Sequence, residues 1–147
     1  MNKKRIAALT AVLLIVLFIW GNSVLSKPVS RVESKLVMEL IRPLLELFVG
    51  KGHVTLNLVR KLAHVTEFTV LGLGLGALLA PKNRWYFRSI GLGAAVAAVD
   101  EAIQLFSQRG SQMKDVGIDL IGVLLGTAIC AAIMQLRKGH RERRSRT

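Results

Sequence analysis

His64, Glu67, Asp100, Glu101, Gln104 and Asp119 all lie inside long apolar segments of this chain. A charged side chain at mid-bilayer costs roughly 2.5–3.5 kcal/mol on insertion scales. A chain that keeps several must pair them, hydrate them or use them. Imidazole and carboxylates are the usual groups of acid–base catalysis, so His64, Glu67, Asp100 and Glu101 are the candidate catalytic residues. His64 and Glu67 are read as the acid–base pair, with Asp100 or Glu101 assisting. Two adjacent carboxylates, Asp100 and Glu101, are costly to ionise together, which suits one of them to proton work. Arginine suits phosphate and carboxylate, so Arg60, Lys61 and Arg109 are candidates to hold an anionic group. Gln104, Asp115 and Asp119 complete the candidate ligand-binding set.

A metal reading starts from His64 and Glu67 at i, i+3 with carboxylates from other segments, a pattern of bundle metal sites. Only one histidine lies at that depth, since His53 and His140 fall elsewhere. Zinc usually takes more nitrogen or sulfur ligands. No metal and no cofactor is therefore expected. Neither Ser107 nor Ser111 sits in a nucleophile motif, and the glycines at 72, 74 and 76 form a packing run without a preceding strand.

The elements that position these groups are long hydrophobic blocks. Residues 6–25, 62–80, 89–106 and 116–136 are each near the roughly 20 residues that span a bilayer as a helix. The chain is thus expected to be an all-α membrane protein with four transmembrane helices. The first block resembles a signal peptide in its basic start and apolar middle, but Val24 and Ser26 make a mediocre cleavage site. It is read as a span. Cys130, alone, cannot form an intrachain disulfide and is read as a small core residue.

A net charge of +12 invites a nucleic-acid reading, but the cations flank the spans. Lys3, Lys4, Arg5, Lys82, Arg84, Arg88, Arg137, Lys138, Arg141, Arg143, Arg144 and Arg146 fall on one side, 12 of the 21 Lys and Arg residues. The other side holds most of its nine in the long segment before the second span. The positive-inside rule then puts both termini in the cytoplasm and the protein in the plasma membrane. The arginine-rich tail suits anionic inner-leaflet lipid. No aromatic residue interleaves it, and no nucleic-acid partner is expected.

Residues 29–49 have helical spacing with one greasy face and charges at Lys35, Glu39, Arg42 and Glu46 on the other. This predicts an amphipathic helix in the outer interface, kinked or interrupted near Pro43, with Lys35 and Glu39 able to pair. A turn at Gly50-Lys51-Gly52 follows, then a helix capped by Thr55 and ended by Pro81. Trp85, Tyr86 and Phe87 form an aromatic belt on the inner side.

Depth sharpens the pattern. Arg60, His64 and Glu67 share one helix face, with Glu67 about 10 Å deeper than Arg60. Asp100 lies about 9 Å below the outer end of the third span, and Asp119 about 6 Å into the fourth. Asn22 and Ser23 reach the same level. The inner halves are rich in glycine, and Gly122 and Gly126 form a small-xxx-small face continuous with Asp119. The expected result is a bundle packed tightly inside, with a polar pocket open to the outer leaflet.

The stretch from Arg60 through Lys61, His64 and Glu67 to Phe68 resembles the R-K-x-A-H-x-x-E-[FY] signature of the VanZ-like family of bacterial membrane proteins. Asp100, Glu101, Gln104 and Phe106, followed by Arg109, resemble its D-E-x-x-Q-x-F…R motif. Asp115, Val116, Asp119 and Gly122 resemble its D-V-x-x-[ND]-x-x-G motif. The likeness runs from Asn22 to Gly126 and implies one VanZ-like transmembrane domain over 1–136, with a basic cytoplasmic tail at 137–147. It also implies a cell-envelope protein, and the family's namesake is associated with low-level teicoplanin resistance. Three functions follow as expectations. The first is binding of membrane lipid, a lipid-linked envelope precursor or a glycopeptide antibiotic. The second is a transferase or hydrolase acting on an envelope lipid, and the third is a structural helix-bundle scaffold. The oligomeric state stays open.

Overall fold

The computed structural model describes residues 3–24, 27–80, 82–107 and 113–144, apart from the side chains at 4, 27–31, 33, 113–115 and 143. It contains five helices: α1 (Lys3–Val24), α2 (Lys27–Val49), α3 (Leu56–Leu79), α4 (Trp85–Phe106) and α5 (Met113–Arg144). No strand occurs among the described residues. Four helices are long and apolar enough to cross a membrane: residues 5–24, 56–79, 85–106 and 116–142. In hydrocarbon each backbone N–H and C=O must be satisfied within its own segment, and a helix does this. The chain is a multi-pass membrane protein.

Thr55 caps α3, its hydroxyl accepting from the Leu58 N–H at 3.1 Å, as its residue type predicts. The turn before it uses Gly50 and Gly52 at φ 85° and 83°, where a side chain would be strained. Thr66 and Thr69, two polar interruptions of α3, donate to the Leu62 and Val65 carbonyls one turn back. They therefore need no partner outside their own helix. Pro81 lies outside the described residues, and α3 is capped at Ala80.

α3 and α5 are the most extensively packed pair. An added Cβ at Gly126 would collide with the Thr69 carbonyl and come within 2.6 Å of the Leu73 nitrogen. At Gly122 it would meet the Val65 carbonyl at 2.7 Å, and at Gly72 it would collide with the Val123 carbonyl. The backbones touch, as small residues allow in lipid. Around this seam Val12, Ile19, Phe68, Leu71, Leu75, Ala97 and Val123 form the buried core. Leu13, Leu14, Leu17 and Phe18 on α1 are exposed to more than half of their area, as lipid-facing side chains are.

Three features differ from expectation, the first in that Pro43 does not interrupt its helix, α2. Pro43 and Glu39 are both exposed, so the carbonyl left without an N–H donor four residues back faces outward. Lys35 and Glu39 form no ion pair. The fourth span also continues as helix to Arg144 rather than stopping near residue 136. Within α2, Ser34, Met38, Ile41 and Leu45 are the more buried stripe, while Leu36, Leu40, Leu44, Leu47 and Phe48 are exposed. Charged residues occupy the remaining face, the pattern of a helix lying at a lipid–water boundary.

Candidate functional site

All four spanning helices send polar side chains to the same end of the bundle. The C-terminal turns of α1 and α4 meet the N-terminal halves of α3 and α5 there. Asp100 is fully buried. Its Oδ1 accepts from the Ser23 hydroxyl at 2.6 Å and its Oδ2 from the Gln104 amide at 2.6 Å. Ser107 donates to the Ser23 backbone carbonyl at 3.0 Å, tying α4 to the end of α1. Glu101 is buried beside Asp100. Asp119 is 1% exposed, and its Oδ1 lies 3.1 Å from His64 Nδ1. Glu67 accepts from the Asn22 amide at 3.2 Å.

The sequence pairs His64 with Glu67 because i, i+3 puts them on one face. Both line one cavity, but their hydrogen bonds go to different helices, Glu67 to Asn22 on α1 and His64 to Asp119 on α5. The His64 pairing follows from the seam. Asp119, Gly122 and Gly126 share one face of α5. Once Gly122 and Gly126 press on Val65 and Thr69, Asp119 must face His64. Phe68, fully buried, has its ring nearly parallel to that of His64, the two planes 9° apart with centroids 6.5 Å apart.

A cavity of about 410 Å³ opens between α1, α2 and α3. Phe18, Val37, Val59 and Ala63 give it apolar walls, and Asn22, Ser23, Ser34, Arg60, His64 and Glu67 give it polar ones. A second cavity of about 540 Å³ adjoins it, lined by Val32, Ser34, Lys35, Leu56, Asn57 and Arg60. Arg60 and Ser34 belong to both. The Arg60 Nε is buried with no hydrogen-bond partner among the described residues. Sequence reasoning missed Lys35 as a second cation of this groove. Its helical spacing reads equally well as a solvated charge, and only the docking of α2 on α3 distinguishes the two.

The arrangement brings together His64, Glu67, Asp100, Glu101, Gln104 and Asp119, with Arg60 at the cavity wall. Lys61 is exposed and lines neither cavity. Arg109 and the side chain of Asp115 lie outside the described residues. One nitrogen or oxygen each from His64, Asp100 and Asp119 lies within 4.8 Å of the others, a grouping with metal-ligand character. Chemically, the site offers a cation, an imidazole held by a carboxylate, and hydrogen-bonded carboxylates beside an apolar-walled cavity.

No curated protein and no solved structure matches the chain significantly. The model of the VanZ/LLP1 family matches residues 6–135, and the chain belongs to that family.

Proposed function

We propose that the chain binds an amphiphile with an anionic head group in the cavity between α1, α2 and α3. The observation that carries this reading is Arg60. Its guanidinium is shared by two adjoining cavities, one apolar-walled, and its Nε has no partner among the described residues. A half-buried cation with spare donors beside apolar walls suits a phosphate or carboxylate on a greasy tail. The flanking cations orient this end of the bundle to the outer leaflet, with both termini cytoplasmic. The fitting ligands are a lipid-linked envelope component or the polar part of an amphiphilic glycopeptide. Antibiotic resistance of the teicoplanin kind is one use of such a site.

The test is binding of a polyprenyl phosphate, and separately of teicoplanin, to the protein in detergent. Arg60→Ala should weaken binding about tenfold or more, since a hydrogen bond to a charged group contributes about 1.5–3 kcal/mol. Arg109→Ala is the companion variant. Wild-type affinity for both ligands in both folded variants overturns the proposal.

A second reading is favoured by one observation: the His64 ring lines the cavity while its Nδ1 is held by Asp119. A carboxylate-oriented imidazole at a cavity wall is the arrangement of a general base. On this reading the protein is a transferase or hydrolase of an envelope lipid. Turnover of a radiolabelled polyprenyl-linked substrate should vanish in His64→Ala and fall in Glu67→Gln. Activity retained in the double variant sinks it. A pure scaffold is the weaker account, because a structural network would leave no cavity against its polar groups.

A further inference from the structure

We infer that His64, Asp100 and Asp119 form a binding site for one divalent transition-metal cation, of the Mn²⁺ or Zn²⁺ class. Three helices, α3, α4 and α5, contribute one ligand each, and the ligand atoms lie within 4.8 Å of one another. Two ligands about 2.1 Å from a metal are about 3.0–3.4 Å apart at octahedral or tetrahedral angles. The 3.1 Å between His64 Nδ1 and Asp119 Oδ1 is therefore a hydrogen-bond length and also a ligand–ligand edge. Closing the third ligand onto the same ion needs a movement of under about 1 Å, given a largest opposed separation of about 4.2 Å.

Charge gives an independent reason. Asp100 and Asp119 are 0% and 1% exposed. Two buried carboxylates require compensation in a low dielectric. A divalent cation with a neutral imidazole compensates both, whereas a protonated His64 compensates one. Asp119 meets the site through the oxygen that faces His64 Nδ1, and a carboxylate oxygen can hold an ion in place of that contact. Asp100 is prepared differently. Ser23 and Gln104 each hold one of its oxygens at 2.6 Å, which orients the carboxylate as outer-shell partners do and leaves a lone pair on each oxygen. One imidazole and two carboxylates suit a borderline to hard ion. His64 also lines the 410 Å³ cavity, which gives the ion an entry path and leaves coordination positions for water or ligand.

The experiment uses the full chain, without a polyhistidine tag, purified in detergent, stripped with chelator and titrated with Mn²⁺ and Zn²⁺. One ion per chain should bind. Asp119→Asn and His64→Gln should each weaken binding about tenfold or more, while Arg60→Ala stays within about twofold of wild type. Electron-spin-echo modulation of bound Mn²⁺ should show nitrogen from a single imidazole, lost in His64→Gln. No binding tighter than about 1 mM, equal binding in Asp119→Asn and His64→Gln, or bound Mn²⁺ without nitrogen coupling in the wild type overturns the site. The wild-type nitrogen signal decides the matter even where a variant fails to fold. The Arg60→Ala arm separates the two proposals, since amphiphile binding can fail there while the metal remains.

Discussion

The two ends of the bundle solve the same problem in opposite ways. At the end holding Gly72, Gly122 and Gly126, the helices meet backbone to backbone, and polar groups are few and small. Ser89 is fully buried and pairs with Thr127 at 3.1 Å, also reaching the Gly72 carbonyl at 3.4 Å. At the other end the helices meet through carboxylates, an imidazole, an amide and hydroxyls, with a cavity alongside. The glycine end has little chemistry and much geometric precision. The polar end has chemistry that depends on that precision, because Asp119 is one turn from Gly122 on the same face. Close backbone packing and the polar network are thus assigned to different halves, and the first sets the geometry of the second.

The sharpest way to break this division is to add bulk at the seam. Gly126→Leu forces side-chain atoms into the Thr69 and Leu73 backbone, which cannot give way as a side chain would. Overpacking a tight interior costs about 1–3 kcal/mol, occasionally more, and the upper end is expected here. Gly91→Leu is the internal control, since a Cβ there meets nothing within 4 Å. Reversible unfolding in mixed micelles should show a large loss for the first and a change within about 0.5 kcal/mol for the second. Equal losses would mean that the seam does not hold the bundle. Gly126→Leu should also disturb the His64–Asp119 contact, so metal and amphiphile binding ought to fall with it.

Much of this was readable from residues alone, for identifiable reasons. Four spans follow from length and hydropathy, which depend on the chain and not on its neighbours. The polar layer follows from helical rise, and the Gly122/Gly126 seam from spacing. The pairing was not readable, because i, i+3 places His64 and Glu67 on one face but leaves open which neighbour each meets. That depends on how α3 is rotated against α1 and α5. The passage of α2 through Pro43 was hidden for a related reason: whether a proline breaks a helix depends on where the orphaned carbonyl points. Ser89 marks the start of a span in the sequence, and its burial against Thr127 appears only once α4 and α5 are packed.

A smaller effect separates the polar end from an ordinary buried network. Asp100→Leu leaves the hydroxyl of Ser23 and the amide of Gln104 without their short acceptor. Stranded buried donors cost about 1–3 kcal/mol, so the single variant should lose about 2 kcal/mol. Replacing the partners as well, in Ser23→Ala/Asp100→Leu/Gln104→Leu, should recover most of that loss, because apolar groups of similar shape are nearly neutral substitutes. Recovery of stability without recovery of metal binding would show that the polar end is retained for what it holds. A triple variant no more stable than the single would place Asp100 in the structural half of the division.

The smallest expected effect lies in the polar pair of the glycine end. Ser89→Ala removes one hydroxyl contact to Thr127 and a long one to the Gly72 carbonyl. Interhelical hydrogen bonds in a membrane average about 0.6 kcal/mol, partly because the freed group finds another partner. Thr127 can turn its hydroxyl to the carbonyl of Val123 one turn back, as helical threonines do. Alanine fills the Ser89 site without strain, and the backbone seam beside it is untouched. The loss in unfolding free energy should therefore be about 0.6 kcal/mol, well below that of Asp100→Leu. If the two losses were equal, hydrogen bonds would matter as much to the glycine end as to the polar end, and close backbone packing would no longer explain what holds it together.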